Sequence, residues 1–94
     1  MRRFRDYRGV EVLLSDAVLF DHILTDHPEP VDYVREIEKA LSNPVVPAFP
    51  DPRRANGLRY YGWVEEFGKY IRVAVKVLDN EAWVSTAFLT DRLA

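Results

Sequence analysis

The clearest hydrophobic pattern in the chain is a strict alternation over residues 70–78. One set of alternating positions holds Ile71, Val73, Val75 and Val77, and the other holds Tyr70, Arg72, Ala74, Lys76 and Leu78. A period of two is typical of a strand with one buried face. We therefore predict a strand that packs its β-branched side against helices and leaves Arg72 and Lys76 on the open face of a sheet.

Two more strands are predicted beside this one, over about 58–65 and 82–90. Turn residues connect the three strands, namely Phe67-Gly68 and Asp79-Asn80. Such short connections indicate an antiparallel meander. If the first strand pairs in matching register, Arg59, Tyr61 and Trp63 join the open face and interleave basic groups with aromatic rings.

The last of these strands is ambiguous. Val84, Thr86 and Phe88 alternate with Trp83, Ser85, Ala87 and Leu89, and either set is apolar enough to be buried. The sequence therefore leaves open whether Ser85 or Thr86 points into the open face.

The N-terminal half predicts a short strand over 9–14, followed by a helix that Ser15 caps. Its apolar stripe consists of Leu19, Phe20, Ile23 and Leu24. Pro28 disfavours the helical conformation at His27, which places that imidazole at the helix exit. His22 lies off the stripe, and Asp26 four residues later is close enough to hydrogen-bond its ring and fix the tautomer.

A second helix should begin at Pro30 and end near Ser42. Its buried stripe is Val31, Val34, Ile37 and Leu41, and its solvated face is Arg35, Glu36, Glu38 and Lys39. The proline-rich stretch after it permits only an edge strand over 45–49. We therefore predict one α+β domain spanning 1–94, in which the helices cover one face of a largely antiparallel sheet.

Composition narrows the class of protein. The 94 residues carry a formal charge of −2, are 48% hydrophobic and include no cysteine, which predicts one core without disulfides or thiolate metal sites. We expect a soluble, unprocessed, cytoplasmic protein, because no apolar run is long enough to cross a membrane or resembles a secretory signal. The arginines cluster near the start and around 53–59, which indicates either a polarised surface or merely an arginine-rich composition.

The residue types permit metal-independent cleavage of RNA. Internal attack of a 2′-hydroxyl on phosphorus needs a base, an acid for the leaving oxygen and cations for the phosphate charge. The available set is His22, His27, Arg59, Tyr61, Lys76 and Thr86. A metal site built from Asp21, His22, Asp26, His27 and Glu29 is the competing hypothesis. It is disfavoured, since the two histidines are about 140° apart around an ideal helix.

Several short motifs, taken in order, resemble the small phage-associated nuclease domains of the barnase, EndoU, colicin and RelE-like group. The resemblance covers about residues 10–92. The matching pieces are His22-Ile23-Leu24, His27-Pro28-Glu29, Leu41-Ser42-Asn43-Pro44, Arg59-Tyr60-Tyr61, Ile71-Arg72-Val73-Ala74-Val75-Lys76 and Val84-Ser85-Thr86-Ala87-Phe88.

The resemblance implies an α+β fold of barnase-like or RelE-like type, with two N-terminal helices packed on one face of a roughly four-stranded antiparallel sheet. It also implies a metal-independent ribonuclease, often a toxin or phage-encoded effector, that needs no cofactor. It implies His22 and His27 as the acid and base, Lys76 as phosphate partner and Thr86 as a polar site residue. Arg59 and Tyr61, with Arg72 beside them, are the expected substrate contacts. RNA is the expected partner, together with a protein inhibitor or antitoxin. The alternative function is a noncatalytic interaction module or toxin–antitoxin component of the same fold.

Overall fold

Six strands form one mixed sheet in the computed structural model, which describes residues 1–93. The strands are β1 (Arg2–Arg5), β2 (Glu11–Leu14), β3 (Phe49–Pro50), β4 (Gly57–Val64), β5 (Lys69–Leu78) and β6 (Glu81–Thr90), in the spatial order β1-β2-β6-β5-β4-β3. The antiparallel meander of β4, β5 and β6 is confirmed. The proline-rich stretch does provide an edge strand, but it lies at Phe49–Pro50 and not over 45–49. β2, however, runs parallel to β6.

The predicted arrangement of two N-terminal helices on a four-stranded antiparallel sheet is therefore wrong. The chain begins with a β1–β2 hairpin, and that hairpin extends the sheet beyond β6. β1 was not predicted from the sequence because it shows no alternating pattern. Phe4 is its one buried side chain, and its other three residues are arginines. Its turn is closed by a hydrogen bond from the Gly9 amide to the Asp6 carbonyl, with Gly9 at φ 84°.

Two short helices complete the fold. The first, α1, comprises a π-helical segment, Ala17–Ile23, that continues into one α-helical turn, Leu24–Asp26. The second, α2, is Tyr33–Ser42, and a 3₁₀ turn, Glu65–Phe67, links β4 to β5. Within residues 1–93, neither helix is long or apolar enough to cross a membrane.

Helix α1 runs alongside β6 where β2 ends. β2 pairs with β6 only at Ala82 and Trp83, and α1 contacts the strand beyond that point. Leu19 and Ile23 enter the core, whereas Phe20 and Leu24 of the predicted stripe stay exposed. A helix beside the edge of one strand buries a narrower stripe than a helix lying across a sheet.

Helix α2 packs on the inner face of β4 and β5, the face lined by Tyr60, Ile71 and Val73. Its buried stripe includes Ile37 and Leu41, as predicted. Placing Glu36 on the solvated face was wrong. Its side chain is 3% exposed, and its carboxylate accepts a hydrogen bond from Arg35 Nε at 3.1 Å and lies 3.6 Å from Lys39 Nζ. Two flexible, exposed cations thus neutralise a carboxylate that the helix presses against the sheet.

Helix α2 approaches the sheet closely at Gly62. A Cβ atom added there would lie 2.9 Å from the Ala40 Cβ and 3.1 Å from the Ala40 Cα. We expect Gly62→Ala to lower the free energy of unfolding by about 1 to 3 kcal/mol, because helix and strand must separate. Urea denaturation measures the effect. Ala40→Gly in the same chain should recover part of the loss, and additive costs in that double variant would contradict the contact.

A buried polar cluster fastens the β1–β2 turn to β4. Asp6 accepts five hydrogen bonds through its two carboxylate oxygens: from the amides of Arg8 and Val10 at 2.9 Å each, from Arg8 Nε at 3.0 Å and Nη2 at 2.8 Å, and from the Tyr60 hydroxyl at 2.7 Å. Burial alone would raise the pKa of Asp6, but these hydrogen bonds outweigh it and hold the pKa below its ordinary value. Burial and the hydrogen bond to Asp6 raise the pKa of Tyr60 to about 12.

Candidate functional site

The sheet face opposite α2, which we call the open face, carries most of the residues predicted for the site. Tyr61 pairs with Arg72, and Arg72 pairs with Phe88 across β4, β5 and β6. One step along the same face, Arg59 pairs with Ala74 and Ala74 with Thr86. Directly paired residues point to the same side of a sheet. The predicted register of β4, with its arginine and tyrosine beside Arg72, is confirmed, but Arg59 and Tyr61 are buried there and do not face solvent as predicted.

A β-bulge in β6 settles which hydroxyl lies on the open face. Lys76 pairs with Trp83 and Ala74 pairs with Thr86, so β6 holds one residue more than β5 over this stretch. The alternation therefore changes sides at Ser85, whose Oγ donates to the Ala74 carbonyl at 3.1 Å. Thr86 consequently points to the open face together with Trp83, although the two are three residues apart.

His22 lies at the centre of a chain of three side chains. Its Nδ1 is 2.9 Å from Asp26 Oδ2, and its Nε2 is 3.0 Å from Thr86 Oγ1. A carboxylate only accepts hydrogen bonds, so the neutral ring carries its proton on Nδ1 and receives the Thr86 hydroxyl proton at Nε2. The predicted contact between His22 and Asp26 is confirmed. We call this arrangement the histidine chain.

Five planar groups form a row across the open face, from α1 to β3. The ring centroids of His27 and Phe88 are 5.6 Å apart, and those of Tyr61 and Phe49 are 5.8 Å apart. Between them, Arg72 Cζ is 5.1 Å from the Phe88 ring and 5.5 Å from the Tyr61 ring. Arg72 Nε also donates to the Tyr61 hydroxyl at 2.7 Å. The guanidinium is therefore held in one orientation before any ligand arrives.

A shallow pocket of about 190 Å³ opens between Thr86 and the loop that follows β3. Arg53 and Arg54 line it from the loop, Arg59 from β4 and Arg72 from β5. The loop is held in place by hydrogen bonds from the amides of Arg54 and Gly57 to carbonyls within it. We call this hollow the arginine pocket.

The charges in the arginine pocket are only partly balanced. Asp51 Oδ1 lies 3.3 Å from Arg59 Nη2, and both side chains are nearly buried. A hydrogen bond from the Arg53 amide, aided by the arginine charges, holds the pKa of Asp51 below its ordinary value despite its burial. In residues 1–93, no carboxylate lies within ion-pair distance of Arg53, Arg54 or Arg72. Positive charge is thus in excess, which favours a phosphate or carboxylate ligand.

The remaining predicted residues lie at the margins of this site. His27 is half-buried against Phe88, and its backbone (φ −132°, ψ 76°) confirms the predicted helix exit before Pro28. Lys76 is on the open face, but it is two residues from Ala74, about 7 Å along the strand. It lines a different hollow with Ser15 and Val18 rather than the arginine pocket. Across residues 1–93, no three His, Asp or Glu side chains are arranged to hold a metal ion.

Three residues that contribute to the pocket were not predicted from the sequence. Arg53, Arg54 and Asp51 belong to a proline-rich loop without periodicity, and only the pairing of β3 with β4 brings that loop over the open face. The cluster of arginines around this loop was the available signal. Asp26, in contrast, was predicted from the sequence as a partner of His22, because it lies four residues later on the same helix.

Comparisons with known proteins add no assignment. No protein-family model, no curated protein and no solved structure matches this chain. The proposals below therefore rest on the geometry of the open face and on the chemistry of its residues.

Proposed function

We propose that this protein is a ribonuclease that cleaves RNA by general acid–base catalysis without a metal ion. The observation that supports it best is the histidine chain, with its Thr86 end at the rim of the arginine pocket. The histidine chain provides a base, and the pocket that shares Thr86 with it provides phosphate-binding cations. These are the two elements that 2′-hydroxyl attack on phosphorus needs first.

His22 is the proposed base. Because Asp26 holds the ring proton on Nδ1, the Nε2 lone pair faces Thr86 and accepts a proton from a 2′-hydroxyl that approaches there. Asp26 then stabilises the imidazolium that forms, as carboxylates do in other histidine-based sites. Half of the His22 side chain is exposed, so a ribose can reach it.

Arg72 is the proposed partner of the scissile phosphate. Its Nε is bound to Tyr61, and in residues 1–93 its two terminal nitrogens have no protein acceptor, so both are available to non-bridging oxygens. The charge on those oxygens grows in the transition state, where a prearranged guanidinium stabilises it most. Arg59 supports the same negative charge from a nearly buried position.

His27 is the proposed acid for the leaving 5′-oxygen. It is the second imidazole on this side of the sheet, and its ring stacks on Phe88, the same ring that Arg72 contacts. Lys76 as a phosphate partner stays a prediction. From its separate hollow, it would contact a phosphate further along the strand.

The activity is tested by incubating the purified protein with a labelled RNA oligonucleotide and excess chelator. We expect fragments that end in a 2′,3′-cyclic phosphate, because internal attack produces that end group. The same sequence with 2′-deoxyribose at every position should stay intact, since it lacks the nucleophile. Cleavage of the deoxy substrate, or no cleavage of any RNA sequence tried, would contradict the proposal.

A noncatalytic RNA-binding module is the second candidate function. It is favoured by one observation, that the Thr86 hydroxyl already occupies His22 Nε2. If RNA does not displace that hydroxyl, the arginine pocket binds phosphate and no reaction follows. Retention of RNA in a gel-shift assay at low salt, without fragments after long incubation, would support this function over the ribonuclease.

A further inference from the structure

The hydrogen-bond ladder of α1 contains one residue more than an α-helix would. The ladder begins with an i→i−4 bond, from the Leu19 amide to the Ser15 carbonyl, and ends with another, from the His27 amide to the Ile23 carbonyl. Between them the Leu24 amide bonds to the Leu19 carbonyl, five residues back. π-Helical turns are rare and are often found at functional sites.

This change of register leaves one carbonyl without a backbone partner. The carbonyls of Leu19 and Ile23 accept from the amides of Leu24 and His27. Three carbonyls, those of residues 20–22, lie between these two acceptors, but only two amides, those of residues 25 and 26, lie between the two donors. The missing donor is the Thr25 hydroxyl, whose Oγ1 lies 2.8 Å from the Phe20 carbonyl oxygen. Thr25 thereby satisfies the group that the π-helical register exposes.

The register also decides where His22 points. One extra residue turns the two ends of a helix by about 100° relative to each other. Leu19 and Ile23 are both fixed in the core, one at each side of His22. With this register, the His22 ring reaches Thr86 while both apolar anchors stay buried. An α-helical ladder would keep both anchors on one stripe, but it would turn the residues on either side of the extra one relative to each other and so change the direction of His22 relative to these anchors.

We infer that Thr25 is a positioning residue, which fixes the π-helical register of α1 and thereby aligns His22 with Thr86. Thr25 is itself exposed and contacts neither Thr86 nor the arginine pocket, so it acts through the helix backbone. Its effect on cleavage rests on the proposed ribonuclease activity, whereas its effect on the His22 ring does not.

The test compares Thr25→Val, which keeps the branched shape without the donor, with Thr25→Ser, which keeps the donor. Nitrogen-15 NMR of the imidazole reports the tautomer at a pH where the ring is neutral. Wild type and Thr25→Ser should hold the Nδ1–H tautomer, with a cross-relaxation signal between His22 and Thr86. Thr25→Val should shift the ring towards the Nε2–H tautomer and lose that signal. An unchanged tautomer and an unchanged signal in Thr25→Val would overturn the inference.

A kinetic readout complements the spectroscopic one. We expect Thr25→Val to lower kcat for RNA cleavage by about tenfold or more while KM stays near the wild-type value, since misplacing the base by an ångström is costly. Thr25→Ser should restore kcat. Equal loss in both variants would contradict a role for the hydroxyl. If wild type cleaves no RNA and the tautomer still shifts in Thr25→Val, the proposed function fails and the positioning role of Thr25 stands.

Discussion

Replacing His22 with alanine is expected to lower the rate of RNA cleavage by a factor of about 10² to 10⁴, the usual contribution of a positioned general base. The substitution removes the proton acceptor and breaks the link from Asp26 to Thr86. It should leave the fold intact, because the His22 side chain is about half exposed and contributes nothing to the apolar core. Initial rates on a labelled oligonucleotide with chelator measure the loss, and circular dichroism checks the fold.

Asp21→Ala is the matched control, since Asp21 is the exposed neighbour of His22 on α1 and belongs to neither the histidine chain nor the arginine pocket. It should cleave at nearly the wild-type rate. Asp26→Asn should lie between the two, because the amide oxygen can still accept from Nδ1 but no longer stabilises the imidazolium. Full activity in His22→Ala would remove this residue from the proposed mechanism.

The arrangement of the site was predictable where strands pair with their neighbours in sequence. The period of two in β5 fixed the side on which Arg72 lies, and short turns fixed β4 and β6 beside it. Arg59 and Tyr61 follow from that register. The open face was therefore foreseeable, since each step depends on local pattern and on turns of a few residues.

The sequence pattern did not predict which side chains are buried where one inserted residue changes the register. The bulge at Ser85 makes the two halves of β6 bury opposite alternating sets, so the average pattern of that strand favours neither. The π-helical register of α1 is likewise not visible in the sequence pattern, because the stripe of Leu19, Phe20, Ile23 and Leu24 fits an ordinary α-helix. Both insertions flank the contact between His22 and Thr86, where a regular strand beside a regular α-helix would place the two side chains differently.

The parallel pairing of β2 with β6 could not be predicted for another reason. These strands are nearly 70 residues apart in sequence, and the pairing includes only Val12 with Ala82 and Leu13 with Trp83. No local pattern specifies such a contact. This pairing also affects the candidate site, because the point where β2 ends determines where α1 begins to run beside β6.

Replacing Asp6 with asparagine is expected to lower the free energy of unfolding at pH 7 by about 3 kcal/mol or more, since several charge-assisted hydrogen bonds are lost or weakened. The amide nitrogen would face the donors of Arg8 or Tyr60, which now share the carboxylate. Asp16→Asn is the matched control. Asp16 is exposed and pairs with the N-terminal ammonium at 3.0 Å, so we expect little or no change in stability.

The effect of Asp6 should also depend on pH in a defined direction. Because its pKa is lower in the folded protein than in the unfolded chain, the ionised carboxylate stabilises the fold at every pH above the ordinary carboxyl value of about 3.9. Below that value the unfolded chain binds the proton first, and the stabilisation decreases until the folded carboxyl is protonated as well. Urea denaturation from pH 7 to pH 3 should therefore show the gap between wild type and Asp6→Asn becoming smaller with acidity. A gap that stays constant would mean that the hydrogen bonds to Asp6 do not favour its charged form.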